Sequence, residues 1–281
     1  MDISLGESKI YSLDPRFAPE DLLRKAEEKK TGALGTGFGG LLSRPKPEEV
    51  MLAATQYRLE PFWHVAAKAH YVYDRMRDYT VPASATDVRA VTFLGNDFAV
   101  SGAGRPGAAF GFPVLEHCAD DFREEVWQEG ATGAHVPNGQ ALLAGPKTER
   151  ADPAELSGAD TMVIMPEHRA SAIVRSLLAK LLRPLQADQV FEESLEVECI
   201  ELVFRPIVAY EFVLPAKDRR GVVEVDALTG EVKTATSLKM QISRHVSKDA
   251  LFDIGADTIG LLVPGGNIAL KVARLAIDRS Y

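Results

Sequence analysis

The chain has 281 residues, 46% hydrophobic and 26% charged, with 40 acidic against 32 basic side chains and a net charge of −8. That composition suits a globular protein with one large domain or two smaller ones, and the acidic balance argues against a nucleic-acid partner. No apolar run reaches the roughly 18 residues of a membrane span, and Met1 to Ser8 lacks the basic and apolar parts of an export signal. A cytoplasmic location is therefore expected, with no membrane partner.

Taken in order, residues 1–17 read as a lead-in. Pro19-Glu20-Asp21 opens a helix to Lys30, with proline in the first turn and acids at the positive end of its dipole. Gly35-Thr36-Gly37-Phe38-Gly39-Gly40 matches G-x-G-x-x-G in form. It follows a helix rather than a strand, so it reads as a loop and not as a phosphate cradle.

Val50 to Leu59 reads as a strand that Pro61 interrupts. Phe62 to Asp74 reads as a strand with two faces. Trp63, Val65, Ala67, Ala69, Tyr71 and Tyr73 share one face, expected to be core. His64, Ala66, Lys68, His70, Val72 and Asp74 share the other, more polar face. Six residues of strand hold His64 and His70 too far apart for one metal ion. Tyr79 to Val81 and Val88 to Leu94 read as further strands. Residues 95–120 read as an insertion, and Asp121 to Glu129 alternates again. Pro166 opens a second helix, 167–183, which Pro184 ends. Val190 to Phe204 reads as a strand that Pro206 breaks, and Ile207 to Leu214 as its continuation.

Val222 to Val232 is the clearest hairpin. Val223 and Val225 alternate with Glu224 and Asp226, and the turn runs Asp226-Ala227-Leu228-Thr229-Gly230. Asp226 starts it by accepting backbone N–H groups, and Gly230 supplies a positive φ. Glu129-Gly130-Ala131-Thr132-Gly133 repeats the same order of acid, small residue, any residue, threonine and glycine. Each half thus contains a helix, a proline between extended runs and a similar turn, which predicts an internal repeat.

The stretch from the helix at 168–183 to Val222-Val223-Glu224-Val225-Asp226-Ala227-Leu228-Thr229-Gly230-Glu231-Val232 resembles a PepSY-type domain over residues 168–236. The resemblance implies a helix laid on an antiparallel sheet and a role in binding or restraining a protein partner. It supplies no catalytic residues.

His117-Cys118-Ala119-Asp120-Asp121 is the densest group of potential ligands. His117, Cys118, Asp120 and Asp121 could serve a metal-dependent or thiol enzyme, but neighbouring side chains of a strand point opposite ways. The two cysteines, Cys118 and Cys199, fit no zinc spacing. The acids Glu192, Glu193, Glu196, Glu198 and Glu201 read as a solvated strand face. No P-loop, G-x-S-x-G, H-E-x-x-H or C-x-x-C occurs, so no cofactor is expected. Two C-terminal helices are expected at 248–262 and 267–279, and a protein partner or second copy could dock on them.

The sequence thus predicts an α+β protein of two related lobes, 1–150 and 151–281. Each has an antiparallel sheet with one packed helix, and a C-terminal helical pair follows. The expected function is a non-enzymatic binding or assembly module for protein partners.

Overall fold

A computed structural model describes residues 1–34, 45–158, 160–235, 237–239, 247–254 and the backbone of 269–271. The strands are β1 (Asp2–Leu5), β2 (Ser8–Leu13), β3 (Met51–Pro82), β4 (Ala90–Phe93), β5 (Asn96–Ala99) and β6 (Ala109–Glu129). They continue with β7 (Lys147–Arg150), β8 (Thr161–Val163), β9 (Gln189–Leu214), β10 (Arg219–Asp226), β11 (Val232–Ala235) and β12 (Ala269–Lys271). The helices are α1 (Pro19–Glu27), α2 (Lys30–Ala33), α3 (Gly139–Leu143), α4 (Ala170–Leu181) and α5 (Lys248–Phe252). Among the described residues no helix is long and apolar enough to cross a membrane.

The expected α+β class with two lobes is overturned. The protein is mainly β, and ten of its strands form one mixed sheet. β3 and β9 lie side by side, antiparallel, from Met51↔Val213 to Asp74↔Gln189. The other edge of β9 is shared end to end by β1, β2 and β10. The other edge of β3 is shared by β8 and β6. Each predicted lobe contributes one of the two long central strands. The apolar face they build is therefore common to both halves and cannot divide.

The prolines do not break their strands. Pro61 lies where the outer partner of β3 changes from β8 to β6, and Pro206 where that of β9 changes from β2 to β10. A residue without an N–H is tolerated at such a gap in the ladder. The free carbonyls are then used alike. Pro61 O accepts from Gly130 N at 2.8 Å, and Pro206 O accepts from Ala227 N at 3.0 Å.

The two turns also match. Gly133 N donates to Glu129 O at 2.9 Å, and Gly230 N to Asp226 O at 2.8 Å. Both glycines have positive φ, 76° and 70°. Asp226 Oδ1 accepts from Leu228 N at 2.8 Å and Thr229 N at 3.1 Å. A β-carbon on Gly230 would come within 3.0 Å of Lys25 and Phe17, and one on Gly133 within 2.8 Å of His168. Gly230→Val and Gly133→Val should therefore each cost about 1–3 kcal/mol in urea unfolding. A wild-type midpoint for either would remove the strain argument at that turn.

The helices are placed differently from expectation. α4 lies over β3 and β6 of the first half, and α1 over β10 of the second. Each helix covers the hairpin of the other half. Arg16 N donates to Ala227 O at 2.8 Å, and Glu167 N to Gly130 O at 2.9 Å, which seats each helix entrance on the opposite turn. Ile173, Val174, Leu177, Leu178 and Leu181 of α4 bury against Trp63, Val65, Tyr71 and Leu195. At 3.6 residues per turn these five form one stripe, so a single helix face meets the sheet.

Of the expected C-terminal helical pair, only α5 is found among the described residues. Leu251 is buried in the α4 core and Phe252 sits edge-on to Trp63. Within the second candidate, residues 269–271 are strand, paired in parallel with β1. The rest of 255–281, the Gly35–Gly40 motif, and so most of the proposed docking surface at 248–279, lie outside the described residues. The stretch 95–120 holds β5 and the first half of β6.

Candidate functional site

The face of the sheet opposite α4 divides into zones. At its middle Tyr11, Leu13, Phe62, Val136, Leu142, Val203 and Leu228 form a small apolar cluster, with Arg58, Glu60, Arg205 and Glu224 on one side of it. On its other side the face is charged and open. Lys68 pairs with Glu196 at 3.0 Å, Arg123 with Glu198 at 2.7 Å and His70 with Asp121 at 2.8 Å. The acids of β9 are thus matched by cations on β3 and β6. Such exposed pairs contribute little to stability individually.

His64 stands on the border between the cluster and this open zone. The register sets His64 opposite Glu201 on β9, and Ala66 opposite Cys199. Cys199 and Glu201 are two apart on one strand and so share this face. His64 Nδ1 lies 2.6 Å from Glu201 Oε2 and 3.8 Å from Cys199 Sγ, and Nε2 lies 2.6 Å from Glu125 Oε1. The Trp127 ring stacks on the imidazole at 3.8 Å and 11°. Lys147 Nζ is 3.9 Å from the other oxygen of Glu201 and lies over Tyr11.

Burial alone would lower the His64 pKa, but Cys199 and the two carboxylates outweigh it and push it up to about 10. Burial likewise opposes ionisation of Glu201, and the hydrogen bond from His64 overrides it, holding the carboxyl below its usual range. At neutral pH the unit is an imidazolium donating to two carboxylates.

The sequence candidates fall elsewhere. His117 and Asp121 lie on this face, with His117 Nδ1 2.6 Å from Asp74 and Asp121 bound to His70. Cys118 and Asp120 point to the other face. Cys118 packs beside the α4 core, and Asp120 accepts from Tyr73 O–H at 3.1 Å. The strand pleat separates the four, as alternation requires. The turn residues Asp226, Gly230, Glu129 and Gly133 serve the turns, and Asp226 and Glu129 also pair with Arg205 at 3.8 and 2.9 Å.

The sequence reading set aside His64 and did not connect Cys199 with Glu201. The available signal was the i,i+2 spacing of Cys199 and Glu201. What joined them to His64 was the register of two strands 135 residues apart. The chain matches no family model, no curated protein and no solved structure.

Proposed function

We propose that this protein is a non-enzymatic binding module that captures an extended, basic segment of a partner protein as an added strand on β6. One observation carries the reading. β6 is 21 residues long, and among the described residues it pairs as a strand only with β3. Among the described residues its outer edge is touched only by isolated bridges at its ends, Ser101↔Ala109 and Gln128↔His135. An uncovered edge offers a row of backbone donors and acceptors to a new strand.

Charge selects the occupant. β6 carries Glu116, Asp120, Asp121, Glu124, Glu125 and Glu129 against Arg123 alone, which disfavours pairing with a second β6 and favours a basic segment. Past Asp74↔Gln189 the pair β3–β6 runs on as a two-stranded arm exposing Met76, Tyr79 and Leu115, further surface for a partner. A PepSY-type relation over 168–236 belongs to the same proposal, since such domains bind protein chains.

A labelled alternating Lys-Val peptide should bind saturably, more weakly at high salt, while an alternating Glu-Val peptide should not bind. Asp121→Lys/Glu124→Lys should weaken binding about tenfold. Equal binding of both peptides, or of neither, would overturn the reading. So would a dimer in light scattering whose stability responds to the same charge reversal.

A further inference from the structure

We infer that His64, Cys199 and Glu201 bind a single divalent transition-metal ion of the zinc class. This reading is independent of strand capture at β6.

The donor atoms His64 Nδ1, Cys199 Sγ and a Glu201 carboxylate oxygen lie within 4.8 Å of one another. The Nδ1–Sγ distance is 3.8 Å, against about 3.5 Å across an N–metal–S edge of a tetrahedral zinc site. The Nδ1–Oε2 distance of 2.6 Å must open by several tenths of an ångström, which a carboxylate rotation provides. The backbone is already placed. The three residues stand on adjacent strands inside a sheet, where a one-residue slip would expose the apolar face.

The surroundings match a metal site beyond the three donors. Glu125 accepts from Nε2, the arrangement that orients a ligating histidine, and the ion takes the Nδ1 lone pair by displacing the proton that Nδ1 donates to Glu201 in the metal-free protein. The Trp127 ring fixes the plane of the imidazole. Lys147 engages the second oxygen of Glu201, leaving Oε2 for the metal. His64 and Glu201 side chains are only 12% and 13% exposed, so the charges of a thiolate and a carboxylate would be well matched by a dication.

The donor set selects the ion. A nitrogen, a thiolate and one carboxylate suit zinc or cobalt, whereas calcium and magnesium require oxygen shells. Three protein ligands leave a fourth position for solvent.

The test is a cobalt titration of the metal-free protein. Co²⁺ should bind at one equivalent and give thiolate-to-cobalt absorption in the near ultraviolet, which Zn²⁺ then abolishes. Cys199→Ser should lose that band and Cys118→Ser should keep it. Glu125→Gln, outside the ligand set, should keep the band but weaken affinity about 10–100-fold. Zinc should also raise the thermal midpoint of the wild type. Absence of a thiolate band in the wild-type protein would overturn the inference without reference to any variant. So would a band that persists in folded Cys199→Ser.

Discussion

Arg58→Ala is expected to lower the free energy of unfolding by about 3–5 kcal/mol. The Arg58 side chain is fully buried, with Nη2 2.7 Å from Glu224 and 3.1 Å from Glu60. These distances give full charge contact, but the donor axes are misaligned, and Nε and Nη2 make no well-formed hydrogen bond. Nη1 donates to Gln56 Oε1 at 3.4 Å, and the rest of the guanidinium is held by charge. Removing it leaves a cavity beside Glu224 and Glu60, whose charges lose a buried counter-ion. Glu60 retains Lys239 at 2.7 Å, so the loss falls mainly on Glu224. The double variant Arg58→Met/Glu224→Leu should recover most of the loss, because neither charge is then stranded. Chemical denaturation of the three proteins measures this. A cost under about 1 kcal/mol for Arg58→Ala would show that the pair is solvated.

The second large effect is expected at His64, in metal-free protein. The pKa is raised in the folded state from 6.5 to about 10, so protonation of His64 favours folding. That contribution is complete below pH 6.5 and is lost as pH rises through about 10. The Glu201 pKa is lowered from 4.5, so its contribution is present above pH 4.5 and lost as pH falls through the folded value. The stability gap between wild type and His64→Gln should therefore be widest between pH 4.5 and 6.5, at about 2–4 kcal/mol. It should narrow steadily toward pH 10. A gap that does not change between pH 6 and 10 would mean that His64 is neutral in the folded protein.

The period-2 pattern of Phe62 to Asp74 separated the two faces of β3, although Ala66, on the more polar face, is buried as well. Trp63, Val65, Ala67, Ala69, Tyr71 and Tyr73 are all buried, while His64, Lys68 and His70 take the polar face. Alternation depends only on the local pleat, so it needs no knowledge of neighbours. The turn at Asp226 to Gly230 was legible for the same reason, since a positive φ and an aspartate bonding the next amides are local demands. The prolines do not break the strands as the sequence predicts. They mark changes of partner, and the strands run on through them, because the missing donor falls where the ladder is already interrupted.

Local pattern does not say which strand lies beside which. Backbone hydrogen bonds carry no residue identity, so partner choice rests on burying apolar faces against elements far away in sequence. For that reason the sequence by itself determined the central strands, the faces of β3 from Trp63 to Tyr73 and both turns, but it took β1 and β2 for a lead-in and the first half of β6 for an insertion. Only the tertiary structure decided that β3 and β9 are neighbours, that each helix covers the hairpin of the other half, and that the result is one sheet rather than two lobes. The same choice of register set Cys199 and Glu201 beside His64, and the pleat of β6 divided His117 and Asp121 from Cys118 and Asp120.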